Sequence, residues 1–198
     1  IERILSVFSC EQLYIATGDT AENKPLREFS TEHKINCFSG SESDVLDRFY
    51  NTAKLTNHNW VLRLTGDNPI LDTRFLMEFI KICSVQNADF YHTKDLPIGM
   101  NYELFHRSCF EKVFQVGPTE YDKEHVTPAF YRLDSISAQK IDFPFNLNWM
   151  SFTVDTQAEF DRVEALYNYF DNNTFNLAEI IEASNQSLQH QYFQIKKT

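Results

Sequence analysis

Apolar residues recur at helical spacing in some stretches and form short continuous runs in others, and the two kinds alternate. Ile1, Ile4, Leu5 and Phe8 fall three or four apart, which predicts an amphipathic helix at the start. Residues 12–17 (Gln-Leu-Tyr-Ile-Ala-Thr) then read as a buried strand ending at Gly18-Asp19. Asn23-Lys24-Pro25-Leu26 opens a helix with proline in its first turn, a favoured place for it. A short strand over 35–38 ends at Ser39-Gly40-Ser41. Ser43 or Asp44 then caps a helix with Val45, Leu46, Phe49 and Ala53 on one face. Trp60 to Leu64 is an apolar run broken only by Arg63. Phe75, Leu76, Phe79, Ile80 and Cys83 give the period of a helix over 73–85, and 88–92 is another strand. Such alternation with short connections predicts parallel strands in a sheet covered on both faces, the α/β class.

Beyond residue 92 the rhythm breaks. The pattern gives a strand over 102–106, a helix over 108–115, a helix over 124–133, and strands over 136–143 and 149–154. Asp155-Thr156 begins a helix carrying Phe160, Val163, Leu166, Tyr167 and Phe170, and 177–183 is a last short helix. The end is polar, so a single domain over 1–186 with a tail at 187–198 is expected.

Two strand ends carry an aspartate. After Trp60–Leu64 the chain turns within three residues to Thr65-Gly66-Asp67, followed by Asn68-Pro69. Pro69 cannot donate to a ladder and biases Asn68 away from helix, so the strand stops there; Gly66 eases the turn. Asp67 is thereby held at the carboxyl end of a buried strand, where open α/β sheets bind ligands. Phe152-Thr153-Val154-Asp155 repeats the logic. Each aspartate either caps the helix that follows or faces a ligand. Two such carboxylates in a wet site suit magnesium, which takes one or two carboxylates together with substrate phosphates.

Composition narrows the classes. A net charge of −10 argues against a nucleic-acid surface, and no apolar run is long enough to span a membrane. Cys10, Cys37, Cys83 and Cys109 are widely spaced, which fits reduced thiols in a cytoplasmic protein better than a disulfide or zinc framework. Zinc-ligand histidine spacings, a serine nucleophile elbow, and Walker and dinucleotide glycine patterns are all absent. Glycine is scarce, with 5 in 198 residues, so each is expected to mark backbone other residues resist. The sequence opens in mid-helix without an initiator methionine, which reads as N-terminal truncation.

Three more polar knots stand out: 39–48 (Ser-Gly-Ser-Glu-Ser-Asp-Val-Leu-Asp-Arg), 99–103 (Gly-Met-Asn-Tyr-Glu) and 122–128 (Asp-Lys-Glu-His-Val-Thr-Pro). The first runs from a strand end into a helix start, a natural place for anions. Five segments in order resemble the cytidylyltransferase superfamily, in the branch named after the spore coat polysaccharide biosynthesis protein F. They are Asp44-Val45-Leu46-Asp47-Arg48 behind its glycine-serine stretch, the run from Arg63 to Asp72, Gly99 to Glu103, Glu124 to Pro128, and Thr153 to Phe160.

The resemblance implies a three-layer nucleotide-diphospho-sugar transferase-like α/β fold with a mostly parallel mixed sheet. It also implies transfer of CMP from CTP to a sugar, an acidic one by family analogy, with release of pyrophosphate for surface polysaccharide synthesis. Asp67 and Asp155 would hold Mg2+ and, with Arg63, act in catalysis. Ser41, Asp44, Arg48, Asn68, Glu103, Lys123, Glu124, His125 and Thr127 would contact substrates, with surface ion pairing the competing reading for Arg48, Arg63 and Lys123. A homodimer through the irregular segment at about 99–145 is expected by the same analogy. Departures are Lys123 where the family has arginine, Asn101 at a position often acidic and Ser151 at one often basic. The family's first strand and its basic nucleotide loop would precede Ile1, so the chain by itself is expected to be inactive. Two alternatives stay open: a non-catalytic nucleotide- or sugar-binding module of the same fold, and a nucleotidyltransferase using another nucleotide.

Overall fold

A computed structural model describes residues 1–185. In chain order its elements are α1 (Glu2–Leu5), a 3-10 turn (Cys10–Gln12), β1 (Tyr14–Gly18), a second 3-10 turn (Ala21–Asn23), α2 (Lys24–Glu32), β2 (Asn36–Gly40), α3 (Val45–Lys54), β3 (Trp60–Arg63), α4 (Thr73–Cys83), β4 (Phe90–His92), β5 (Glu103–His106), α5 (Ser108–Val116), α6 (Glu120–His125), α7 (Pro128–Arg132), β6 (Ala138–Lys140), α8 (Gln157–Phe170) and α9 (Leu177–Asn185). The tail expected at 187–198 lies outside the described residues.

Three layers follow from the alternation of side chains along the strands. In the sheet β3-β5-β4-β6, the cross-strand row Leu62, Leu104 and Tyr91 faces one way. It packs into a core with Leu76 and Phe79 of α4, Val163 and Leu166 of α8, and Ile180 of α9. The row Val61, Phe105 and Phe90 faces the other way, against Leu46 of α3, Phe110 and Val113 of α5, and Phe130 of α7. Phe105 and Phe130 meet edge to face with centroids 4.9 Å apart, and Phe90 and Phe130 at 5.6 Å. Burial on both faces explains why these strands read as near-continuous apolar runs.

The segment that broke the sequence rhythm departs most from expectation. A continuous helix over 124–133 does not form. Val126 adopts φ 71 and ψ −60, and Thr127 N–H bonds His125 O at 2.9 Å, a strained γ-turn between α6 and α7. Pro128, lacking an N–H, then starts α7 at its first position, where nothing is lost. The strand expected over 136–143 contracts to Ala138–Lys140. The one expected over 149–154 is extended but joins no ladder. Instead it bridges the 96–101 loop through Ile98 N–H to Met150 O and Phe152 N–H to Ile98 O, both 2.9 Å.

The expected single sheet is divided in two. β1 pairs only with β2, in parallel, while β3 pairs only with β5. β5 runs antiparallel to both β3 and β4, and β4 and β6 are parallel. The free edges of β1 and β3 line one cleft of about 1860 Å³, with residues 13–18 and 60–65 both contributing. Among the described residues neither edge has a backbone partner, and an unpaired edge is a template for a further strand.

Asp122 anchors the α6–α7 corner. It is fully buried, and the Arg132 guanidinium grips both its oxygens at 3.1 and 2.8 Å. Thr119 adds its N–H and O–H at 2.8 and 2.7 Å. The Arg132 bonds, with those from Thr119, hold the carboxyl at about 2 despite burial. A depressed folded-state value stabilises the fold above the unfolded carboxyl range, and that stability drains away as pH falls from 4 towards 2. The contribution is about 2 kcal/mol. Urea unfolding across pH 2–6 is expected to show this acid limb in the wild type and a flatter one in Asp122→Asn.

Candidate active site

Which residues cap the helices decides what Asp67 and Asp155 are free to do. Helix α4 is capped by Asp72, whose Oδ1 accepts from Arg74 N–H at 3.0 Å and Phe75 N–H at 3.4 Å. Helix α8 is capped by Thr156, in a box closed by Glu159. The capping alternative therefore falls for both strand-end aspartates. Among the described residues neither carboxylate of Asp67 or Asp155 accepts a hydrogen bond, and both residues are exposed. The Val154 N–H donates to Asp67 O at 2.9 Å, which ties the two segments together through their backbones. Asp67 lines a small pocket with Val154 and Phe160 that adjoins the cleft at Gly66 and Pro69, and Asp155 lines neither.

Asn68 and Gly99 form the adjoining wall. Asn68 donates from Nδ2 to Thr65 Oγ1, while its Oδ1 is buried with no partner among the described residues. Gly99 has φ +89, and a Cβ there would stand 2.7 Å from Asn68 Oδ1 and 3.1 Å from Thr153 N. Only glycine lets the 96–101 loop come this close. Gly66, by contrast, has open space around it and no positive φ, so the turn it was expected to enable does not require glycine. Asn101 ties its own loop, accepting from Thr93 Oγ1 at 3.0 Å and donating to Leu96 O and Pro97 O. Ser151 meets Thr153 Oγ1 at 3.1 Å.

Across the cleft, the 39–48 knot shapes a second wall. Asp44 caps α3 by accepting from Asp47 N–H at 2.9 Å, and Ser41 Oγ accepts from Asp44 N–H at 3.0 Å. Both are thus spent on the turn. Arg48 donates to Ser41 O at 2.8 Å and lines the cleft with its Nε buried and unpartnered. Glu42, which the sequence did not single out, also lines it, held by Asn23 Nδ2 at 2.6 Å beside Gly18.

At the far end, strand pairing sets Arg63, Glu103 and His92 in one cross-strand row. Glu103 accepts from Arg63 Nη1 at 2.8 Å, Thr127 Oγ1 at 2.8 Å and Tyr131 Oη at 3.3 Å. Burial and the Glu103 carboxylate raise the Tyr131 phenol, so it remains a donor. The strained Val126 turn aims Thr127 at Glu103. Arg63 lies over the Phe49 ring, and its Nε is buried without a partner. Lys94 and Tyr131 line this end too, and neither was singled out from sequence. Burial and the charge of Lys94 lower the His92 imidazole, keeping it neutral.

The rest of the 122–128 knot turns elsewhere. Lys123 pairs with Glu120 at 2.7 Å, Glu124 is exposed, and His125 rests on Tyr121 with ring centroids 4.3 Å apart. None of the three lines the cleft.

The sequence pattern of one family, described as cytidylyltransferase, matches residues 1–194. The chain belongs to the cytidylyltransferase family. Protein MJ1063 of Methanocaldococcus jannaschii is 29% identical over 185 residues, covering 92% of this chain and 76% of its own length. The spore coat polysaccharide biosynthesis protein SpsF of Bacillus subtilis is 29% identical over 164 residues, covering 79% and 67%. A cytidylyltransferase structure from Leptospira borgpetersenii superposes with a TM-score of 0.84 at 21% identity, over 93% of this chain and 80% of that one. A CMP:2-keto-3-deoxy-manno-octonic acid synthetase complexed with CTP superposes at 0.59 with 14% identity, over 85% of each. These likenesses establish the fold, and family membership makes the chain a nucleotidyltransferase by descent.

Among the described residues no three acidic, histidine or cysteine side chains gather as a metal cage. The Asp67 and Asp155 carboxylates accept no hydrogen bond among these residues and lie on segments joined by one backbone bond.

Proposed function

We propose that this cytidylyltransferase family member transfers CMP from CTP to an acidic sugar, giving a CMP-sugar and pyrophosphate. The observation that carries this is that Asp67 and Asp155 are both freed of capping duty, on segments tied by one backbone bond next to the cleft-lining Gly66 and Asn68. The CTP-complexed synthetase of the same fold supports the choice of nucleotide and of sugar class.

In this reading a sugar hydroxyl attacks the α-phosphate; the new phosphorus–oxygen bond forms as the bond to pyrophosphate breaks. Asp67 and Asp155 would hold magnesium, which would neutralise charge on the phosphates. Arg48 offers its spare N–H groups on the β1–β2 side, where the nucleotide lies. Asn68 presents an acceptor oxygen between the two halves. Glu103 serves as a holder: its carboxylate is saturated by three donors, so it orients Arg63 and Tyr131 rather than abstracting a proton. The unpaired edges of β1 and β3 leave ladder positions open for a further strand.

Pyrophosphate release from the complete gene product tests the proposal, with CTP, magnesium and a panel of acidic sugars. Turnover is expected with CTP and at least one acid, and loss on chelation. CTP binding without turnover on any sugar would move the chain to the non-catalytic reading.

A further inference from the structure

We propose that Lys94 recognises the carboxylate of the acceptor, an inference that rests on the nucleotidyl transfer described above. Lys94 follows β4 directly and lines the cleft. Its Nζ stands 5.1 Å from the centroid of the Tyr131 ring. That ring is fixed on three sides: its hydroxyl donates to Glu103 at 3.3 Å, and its edges meet Phe90 at 4.8 Å and His92 at 4.7 Å. The lysine is thus perched on a rigid platform, an arrangement that favours a cation held over an aromatic face.

What Lys94 lacks is a counter-ion. Among the described residues no carboxylate lies within ion-pair distance of it, in a chain with 28 acidic and 18 basic side chains. Its sequence neighbour Asp95 turns instead to Lys140 at 2.9 Å, which Asp142 also engages at 2.7 Å. Around Lys94 the charges can be counted. Arg63 and Glu103 cancel as a pair at 2.8 Å, and buried His92 is neutral, so Lys94 keeps an unpaired positive charge at this end of the cleft, with Arg48 on the opposite wall. One uncompensated charge matches a monoanionic carboxylate rather than a dianionic phosphate.

Position agrees with charge. In the order β3-β5-β4, Lys94 lies two residues past the end of β4, and Asp67 four residues past the end of β3, two strands away. At the usual strand spacing β3 and β4 lie roughly 10 Å apart. A sugar carboxylate held at Lys94 leaves the ring within the cleft, towards the β3 end. The lysine also lies on the side away from β1 and β2, so it is separate from the nucleotide wall.

Equilibrium titrations of the complete protein test this, using N-acetylneuraminate, glucuronate, their methyl esters, glucose 1-phosphate and CTP with magnesium. Lys94 is exposed, so Lys94→Met leaves the fold intact, and a thermal melt verifies it. The wild type is expected to bind at least one acid about tenfold or more tightly than its ester, the worth of one charge-assisted contact. Lys94→Met should erase that difference, Lys94→Arg should keep most of it, and CTP affinity should stay within about twofold. Equal affinity for acid and ester, or no binding of either acid, would overturn the assignment. So would Lys94-dependent preference for glucose 1-phosphate, or a loss of CTP binding in Lys94→Met equal to the loss of acid. Acid binding through Lys94 in a protein that ignores CTP would uphold the carboxylate subsite while removing the nucleotidyl-transfer reading.

Discussion

Asp67→Ala is expected to weaken magnesium-dependent CTP binding by about a hundredfold or more, with the fold unchanged. The reasoning is electrostatic: a ligand that brings several negative charges needs the bound cation, and the contribution of such a cation is several kcal/mol, each 1.4 kcal/mol being about tenfold. Asp155→Ala should behave alike, because the proposed site takes one carboxylate from each of the two segments that the Val154–Asp67 backbone bond joins. The side chains are exposed and bear no load in the fold, so melting temperatures should hold. Calorimetry with and without magnesium reads the effect. CTP affinity that is equal in the absence of metal, or unmoved by both substitutions, would remove the metal role.

Asp72→Ala is expected to do the reverse, harming stability by about 3–4 kcal/mol and lowering the melting temperature by roughly 10 °C. Asp72 is 2% exposed and serves two helices at once. One oxygen caps α4, and the other accepts from Leu177 N–H at 2.9 Å, at the start of α9. Its carbonyl takes the Tyr102 hydroxyl at 2.6 Å, and Arg3 fastens the adjoining Leu71 carbonyl and Phe175 carbonyl at 2.9 and 2.7 Å. Alanine would strand buried donors on both helices, which costs more than losing exposed bonds. Asp72→Asn keeps an acceptor for the cap and should lose about half as much. A melt of each variant, with near-wild-type behaviour in Asp72→Ala, would contradict this placement.

The contrast between Asp67 and Asp72 shows where sequence reading stopped. Both lie in one ten-residue segment, both follow a strand, and either could cap α4. The cap depends on the backbone dihedrals at Asp72 and on a helix 105 positions away in sequence, α9, whose first N–H shares the carboxylate. The same limit applied at Asp155 and Thr156. Elements with strong periodicity, α3, α4 and α8, were legible because one apolar face meets one core. The helix drawn through 124–133 was not, because its composition suits helix while Pro128 and the Val126 turn divide it. The family resemblance set His125 among the substrate contacts, yet the turn sends Thr127 inward and leaves His125 on Tyr121. Lys94 carried no motif; only its place over Tyr131 and its missing counter-ion mark it. The gap between β1 and β3 is a pairing fact, and pairing partners far apart in sequence leave no local pattern.

The most direct test of the account is a crystal of the complete protein grown with CTP and manganese, which scatters anomalously where magnesium would bind. An anomalous peak coordinated by Asp67 and Asp155, with the triphosphate beside it and the base towards the β1–β2 wall, is the predicted result. A triphosphate bound elsewhere, or a metal bound without either aspartate, would contradict it.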